Sequence, residues 1–346
     1  MSSATVLYVG TNEGVVSLRS EDGRKWDVQS QGLKSWAVPQ VDVQPSQPNR
    51  VFAGTRGDGV WVSEDYGQTW GKPCYGKPGP GKVRSVAMSP LDPDTIYAGT
   101  EPIDIFVSHD AAKSWERLDS VWDVPTVASV TYPVAAVEPH VRFIVLHPND
   151  PNTMYAALQV GYMVKSTDGG RTWKLLDKGL DADVHTIAMD PVNPDRLYIA
   201  TGGFESRSGR VQGRALYMSH DGGESWNPTA MEFQQEYSVP LAMHPENSAV
   251  LFAGVANGTP DSWGRPTGAE SAVIRTTDGG EHWESVHKGL STMGFADSIV
   301  FDEADPDRLY MGLRSGELYA SQDGGDSWSM LDVKLSSISD LHCVRT

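Results

Sequence analysis

Cysteine is almost missing from this chain of 346 residues: only Cys74 and Cys343 occur, far apart. Two distant thiols make no disulfide framework, and this usage fits a reducing compartment. Long apolar runs are missing as well, so no segment approaches the ~20 residues that a membrane-spanning helix needs. The opening Met-Ser-Ser-Ala-Thr-Val-Leu-Tyr-Val-Gly carries neither a basic region nor a long apolar one. The expectation is a cytoplasmic protein without a secretory signal. Positive charge is scarce, with 28 Lys+Arg against 45 Asp+Glu and a net charge of −17. That balance argues against nucleic acid and anionic membrane as partners, and no basic stretch interleaved with aromatics offsets it. Neither HExxH, nor paired CxxC, nor G-x-S-x-G is present. Gly76-Lys-Pro-Gly-Pro-Gly-Lys82 imitates a phosphate loop, but Val83 stands where Ser or Thr is required.

What the chain has is a repeat. Ser166-Thr-Asp-Gly-Gly-Arg-Thr-Trp173 returns in versions that begin at Ser20, Ser63, Ser108, Ser219, Thr276 and Ser321. They end at Trp26, Trp70, Trp115, Trp226, Trp283 and Trp328, so seven of the eleven tryptophans serve one motif. Spacings of 44 to 58 residues from tryptophan to tryptophan define a repeat architecture. In S-x-D-x-G-x-[ST]-W, the Asp carboxylate accepts backbone N–H groups ahead of it, and Gly supplies a positive φ. The Ser or Thr hydroxyl ties the turn, and Trp opens the next strand. The first copy, ending at Trp26, is one residue short, and the third has Ala112 in place of Gly.

These residues resemble the Asp-box (BNR) repeat family, and the resemblance spans essentially the whole chain. It implies an all-β propeller in which the seven Asp residues are scaffold, away from the ligand face. Sialidases of this kind have six blades, an Arg-Ile-Pro motif and an arginine triad; this sequence lacks the tripeptide. Xyloglucan-cleaving glycosidases use a cleft between two propellers, and sortilin-type receptors have ten blades. Photosystem II assembly factors, single seven-bladed propellers, are similar in size but act in the thylakoid lumen.

Each repeat reads as four short strands, A to D, with a proline-rich turn such as Pro191-Val-Asn-Pro-Asp-Arg196 between A and B. The first repeat starts at strand B, and Ile338–Arg345 supplies its missing A strand. The expectation is therefore one closed seven-bladed β-propeller with no exposed edge between first and last repeats. Its blades run 5–33 plus 337–346, 36–73, 82–120, 139–178, 182–230, 236–288 and 295–333.

Strand direction alternates, so the prolines and Asp boxes share one face. The insertions 118–139, 202–214, 231–239 and 256–271 fall on the other. Binding loops gather on one face of a rigid scaffold, which makes the insertion face the candidate functional surface. Alignment on the prolines puts Pro39, Arg84, Arg142, His185, Val239 and Asp297 at the channel mouth on that face. Asp340 joins them, or its neighbour does if the tail slips by one. A second ring after strand B offers Asn12, Arg56, Glu101, Gln159 and Arg314. The insertions add Trp122, Tyr132, Phe204, Tyr237 and Trp263, beside Glu205, Arg207, Arg210, Asp261 and Arg265.

Two readings follow. In one, the chain is a hydrolase or lyase acting on a small polar, anionic molecule. Arg84 and Arg142 bind it, with Arg56, Glu101, Arg314, Trp122 and Trp263 completing the pocket. His185, Asp297 and Asp340 are then the catalytic candidates. With His342 they are also the candidate ligands of a divalent metal, the one cofactor considered. In the other, the mouth is merely solvated, and the insertions grip a protein partner. The charged mouth favours an enzyme, a glycoside hydrolase-like one included. The missing family catalytic motifs favour a scaffold.

Overall fold

The computed structural model describes residues 4–43, 46–133 and 137–346. Pro45, which opens the proline-rich turn of blade 2, and 134–136 of the first insertion lie outside the described residues. Seven antiparallel sheets follow one another, six of four strands and one of three. Strand Ile338–Arg345 pairs with Thr5–Thr11, followed by Gly14–Ser20 and Asp27–Gly32, so the tail completes blade 1. In blade 2 the D strand shrinks to a single bridge between Val62 and Gly71. Pro73, which has no N–H for a ladder, stands two residues beyond it.

The B strands are buried throughout, as at Ile96–Thr100, Leu197–Thr201 and Leu309–Leu313, because each lies between its own sheet and the next. Their small residues have a steric cause. A Cβ on Gly99 would stand 2.5 Å from Val141 of the following blade. A Cβ on Gly312 would stand 2.5 Å from Ile338, so the joint that closes the ring is built like the internal ones. The cores lie between blades: Tyr155, Ala157 and Leu176 of blade 4 pack on Ile187, Leu197 and Trp226 of blade 5. Burying an aliphatic or aromatic side chain of this size contributes about 1.5–3 kcal/mol.

The Asp box closes as its sequence implies. Ser166 Oγ donates to Asp168 Oδ1 at 2.9 Å and accepts the Gly170 N–H at 2.8 Å. Asp168 accepts the N–H and hydroxyl of Thr172 at 2.9 and 2.7 Å. Those bonds, the Thr172 hydroxyl first, hold the Asp168 carboxyl down at about 2. The short first copy has no such hydroxyl, and Asp22 accepts two N–H groups, from Arg24 and Lys25. Ala112 takes the left-handed conformation at φ 66°, carrying the strain that Gly avoids elsewhere. Six of the boxes also lean on their own A–B turns: the Gly169 N–H donates to the Asn152 carbonyl, and the Gly222 N–H to that of Asp195. Prolines and Asp boxes thus occupy one face. Among the described residues no helix is long and apolar enough to cross a membrane.

Candidate functional site

The mouth opposite the Asp boxes is shaped by a repeated irregularity. In four blades the A–B ladder skips one residue of the A strand, between Val83 and Ser85, Val141 and Phe143, Val184 and Thr186, and Ala296 and Ser298. The skipped residues are Arg84, Arg142, His185 and Asp297. A bulge frees a side chain from the ladder's alternation and re-aims it. In the tail the skipped residue is Ser339, because Gly10 faces Asp340 and Thr11 faces Ile338. Asp340 therefore lies one step down the strand, inside the channel, and the slipped alignment of the tail is the correct one. Val239 is buried against Tyr237 and Phe295.

Most charge at the mouth is neutralised in place. Glu101 accepts Arg84 through Nε at 2.6 Å and Nη2 at 2.5 Å, with Arg56 at 3.4 Å and Lys82 at 3.9 Å. Burial, then the charges of Arg56 and Arg142, pull the Arg84 guanidinium down to about 10. Asp297 and Arg314 form a bidentate pair at 2.6 and 2.7 Å. Burial opposes the charge on Arg314, but these bonds to Asp297 raise it further. Arg314 also lies 5.4 Å over the Trp263 ring, which packs on Phe295 and Tyr237 at 4.6 and 5.3 Å. The insertion carrying Trp263 thus roofs the Asp297–Arg314 side.

Arg142 is the exception. It makes no hydrogen bond or ion pair with any described residue, although Arg84, Tyr132, His140, Asp183 and Tyr237 all feel its charge. His185 is buried, with Nδ1 2.7 Å from the Ser238 carbonyl and Nε2 3.3 Å from Asp183 Oδ1. Burial works against the Asp183 charge, but His185 and then Arg142 hold its carboxyl below the ordinary range. His140 is buried and neutral, pushed down to about 3 by burial and then by Arg84. Its Nδ1 lies 2.9 Å from the Glu138 carbonyl, to which it donates, and Nε2 has no partner among the described residues. Gln159 bonds to the Tyr132 hydroxyl at 3.0 Å and so ties the first insertion to this group.

The other candidates disperse. Trp122 donates to Asp104 at 2.9 Å over the B–C turn of blade 3, beside Arg117, and does not join the roof. His342 lies within the channel, 3.6 Å from Asp42. Asp297, Asp340 and His342 border the channel while His185 lies outside it, and among the described residues no group of three His, Cys, Asp or Glu could hold a metal ion. His140 and Asp183 were missed by the alignment on prolines. The signal was there: each stands two residues before a bulged residue, Arg142 or His185.

Known proteins give the fold a context. A family model described as sortilin, neurotensin receptor 3 (Sortilin-Vps10) matches residues 161–298. A xyloglucanase of a Paenibacillus species is 23% identical over 209 residues, covering 54% of this chain and 20% of that enzyme. The chain thus spans about a fifth of the length of that relative. Among solved structures, the GH74 xyloglucanase of Xanthomonas campestris superposes with a TM-score of 0.62 at 16% identity, over 85% of this chain and 45% of that one. YCF48 bound to D1 peptide superposes at 0.54 and 16% identity, over 85% of this chain and 81% of that one.

Proposed function

Because this chain is a seven-bladed propeller of the Asp-box repeat type, we propose that it is a binding module whose insertion face receives an anionic, carboxylate-bearing partner at Arg142. The single observation behind this reading is the unpaired guanidinium of Arg142. A cation already flanked by Arg84 is poorly placed to stay uncompensated, and a bidentate carboxylate would relieve it. The other guanidiniums of the mouth are engaged: Arg84 and Arg56 by Glu101, and Arg314 by Asp297. His140 Nε2, without a hydrogen-bond partner among the described residues, would accept an N–H or O–H group of the same ligand. A peptide ligand has support from YCF48, which resembles this chain over most of both lengths and is seen with a peptide.

The enzyme reading has one specific observation in its favour, the His185–Asp183 pair beside Arg142. A carboxylate beside an imidazole is a common acid–base pair, although here the Ser238 carbonyl takes Nδ1 and Asp183 faces Nε2, so a substrate would have to displace one of them. Against it, Asp297 is locked to Arg314 and Asp340 points into the channel.

The test is a thermal-shift and calorimetric screen of wild type and Arg142→Ala against organic acids, acidic peptides and xyloglucan oligosaccharides. A ligand at a hundred times its Kd adds about 2.7 kcal/mol of stability. Acid or peptide hits lost in Arg142→Ala are the expected outcome. Turnover of any of them by wild type, abolished in His185→Gln, would favour the enzyme instead. A blank screen on folded protein would remove the binding proposal.

A further inference from the structure

A second feature lies at the opposite end of the molecule. A cavity of about 470 Å³ occupies the central channel and opens toward the Asp-box face, where Pro90, Pro148 and Pro191 border it. Arg84, Arg142 and His185 are not in its wall; of the mouth residues only Asp297, held by Arg314, reaches it from above. No lysine or arginine lines it.

Its wall is two-sided. The A strands share two register positions beside the channel. At the first of these positions the blades carry Asp340, Gln40, Ser85, Phe143, Thr186, Pro240 and Ser298; at the second they carry His342, Asp42, Ala87, Val145, Ala188, Ala242 and Val300. The ionisable groups at both levels thus fall on two adjacent strands, Gln40–Val43 and Ile338–Arg345. Five other blades do without them, so the fold does not require them there. Asp340 accepts the Val41 N–H at 3.0 Å, and Asp42 accepts those of Met88 and Val43 at 2.8 and 2.9 Å. These bonds anchor the carboxylates but bring no cation, and His342 at 3.6 Å from Asp42 is the one basic group on the wall. Across the channel the lining is Phe143, Val145, Leu241 and Val300.

We propose that this cavity is a second binding site, open at the Asp-box face, for a small organic cation. Its amine or ammonium group sits between Asp42 and Asp340, and its apolar body lies against Phe143, Val145, Leu241 and Val300. A carboxylate pair with no lysine or arginine partner and only His342 beside it, facing an apolar wall with an aromatic ring, supplies both halves of amine recognition. Burial, with the charge of Asp42 adding to it, lifts the Asp340 carboxyl to about 7, and burial likewise raises Asp42, with Glu303 adding its charge. A bound cation would hold both groups ionised. Asp297, the third carboxylate bordering the cavity, is already paired with Arg314.

Titration calorimetry with benzylamine at about pH 8 tests the site, with benzyl alcohol as the neutral isostere. Saturable binding of the amine and none of the alcohol is expected. Affinity should fall at least about tenfold in Asp42→Asn and Asp340→Asn, and in wild type on lowering the pH to about 5. Val300→Lys, which sets an internal ammonium on the facing wall, should abolish binding even if an Asn variant fails to fold. Arg142→Ala should bind benzylamine like wild type, which keeps this site distinct from the mouth. Absence of saturable binding at millimolar benzylamine, equal binding of benzyl alcohol, or undiminished binding in Val300→Lys would overturn the proposal.

Discussion

The two faces of the disc treat the same chemical groups differently. On the Asp-box face, six copies close with one set of bonds, and only the last partner varies: a Ser or Thr side chain in five and His282 in the sixth. In these six copies the box Asp finds its donors within its own turn. On the insertion face no two blades agree. Arg84 leans on Glu101, Asp297 on Arg314, His185 on Asp183, and Arg142 on nothing described. Uniform bonding marks positions that only folding constrains, whereas individual pairing marks positions where something else has shaped the choice. The channel between the faces is regular in backbone and irregular in charge, and so belongs with the second class.

If the mouth is a closed electrostatic system around Glu101, removing that carboxylate should have the largest effect of any single change there. Glu101→Gln leaves Arg84 buried beside Arg56 and Arg142 without a counter-charge. Breaking a buried pair from one side costs about 3–5 kcal/mol, measurable by denaturant unfolding. A loss below about 1 kcal/mol would show that solvent, not Glu101, compensates the arginines. Adding Arg142→Ala to Glu101→Gln should recover part of the loss, since it removes a neighbouring like charge.

A smaller effect should come from the channel, and it has a sign. The folded Asp340 carboxyl titrates near 7, above its ordinary range. Between about pH 4 and pH 7 the native state therefore holds a proton that the unfolded state has lost. Stability in wild type should fall as pH rises through that window and level off above it. Asp340→Asn should flatten this slope, with a gain on the order of 2 kcal/mol at about pH 8 after allowing for channel water. An unchanged slope would mean that Asp340 is ionised and well solvated in the folded protein.

How much of this was legible depended on whether a feature repeats. The Asp boxes and the bulged positions of Arg84, Arg142, His185 and Asp297 sit at fixed distances from a proline or a tryptophan, so one repeat predicts the next, and the closing strand follows from the A strand that the first repeat lacks. Asp340 was placed one residue out because the tail has no A–B proline turn to set its register. His140 and Asp183 escaped because alignment on the prolines drew attention to the bulge and not to the residue two places before it. The pairing of Asp297 with Arg314, and of Arg84 with Glu101, needs the two rings to be seen as neighbours within one blade. Trp122 was beyond sequence reasoning, because a long insertion carries no register and Asp104 captures its indole.

The smallest stability effect should belong to the residue with the largest functional one. Arg142 makes no hydrogen bond or ion pair with the described residues and lies between the charges of Arg84 and Asp183, so its removal takes away a repulsion and an attraction that offset each other. Arg142→Ala should change stability by less than about 0.5 kcal/mol, or raise it slightly, as surface substitutions free of specific contacts do. The same variant should lose the stabilisation that a carboxylate ligand gives to wild type. The combination separates the two faces: no Asp-box residue should show ligand dependence without a stability cost. If Arg142→Ala instead destabilises the protein by more than about 1 kcal/mol, Arg142 is part of the fold's own electrostatics. The irregularity of the insertion face would then have to be explained by folding alone.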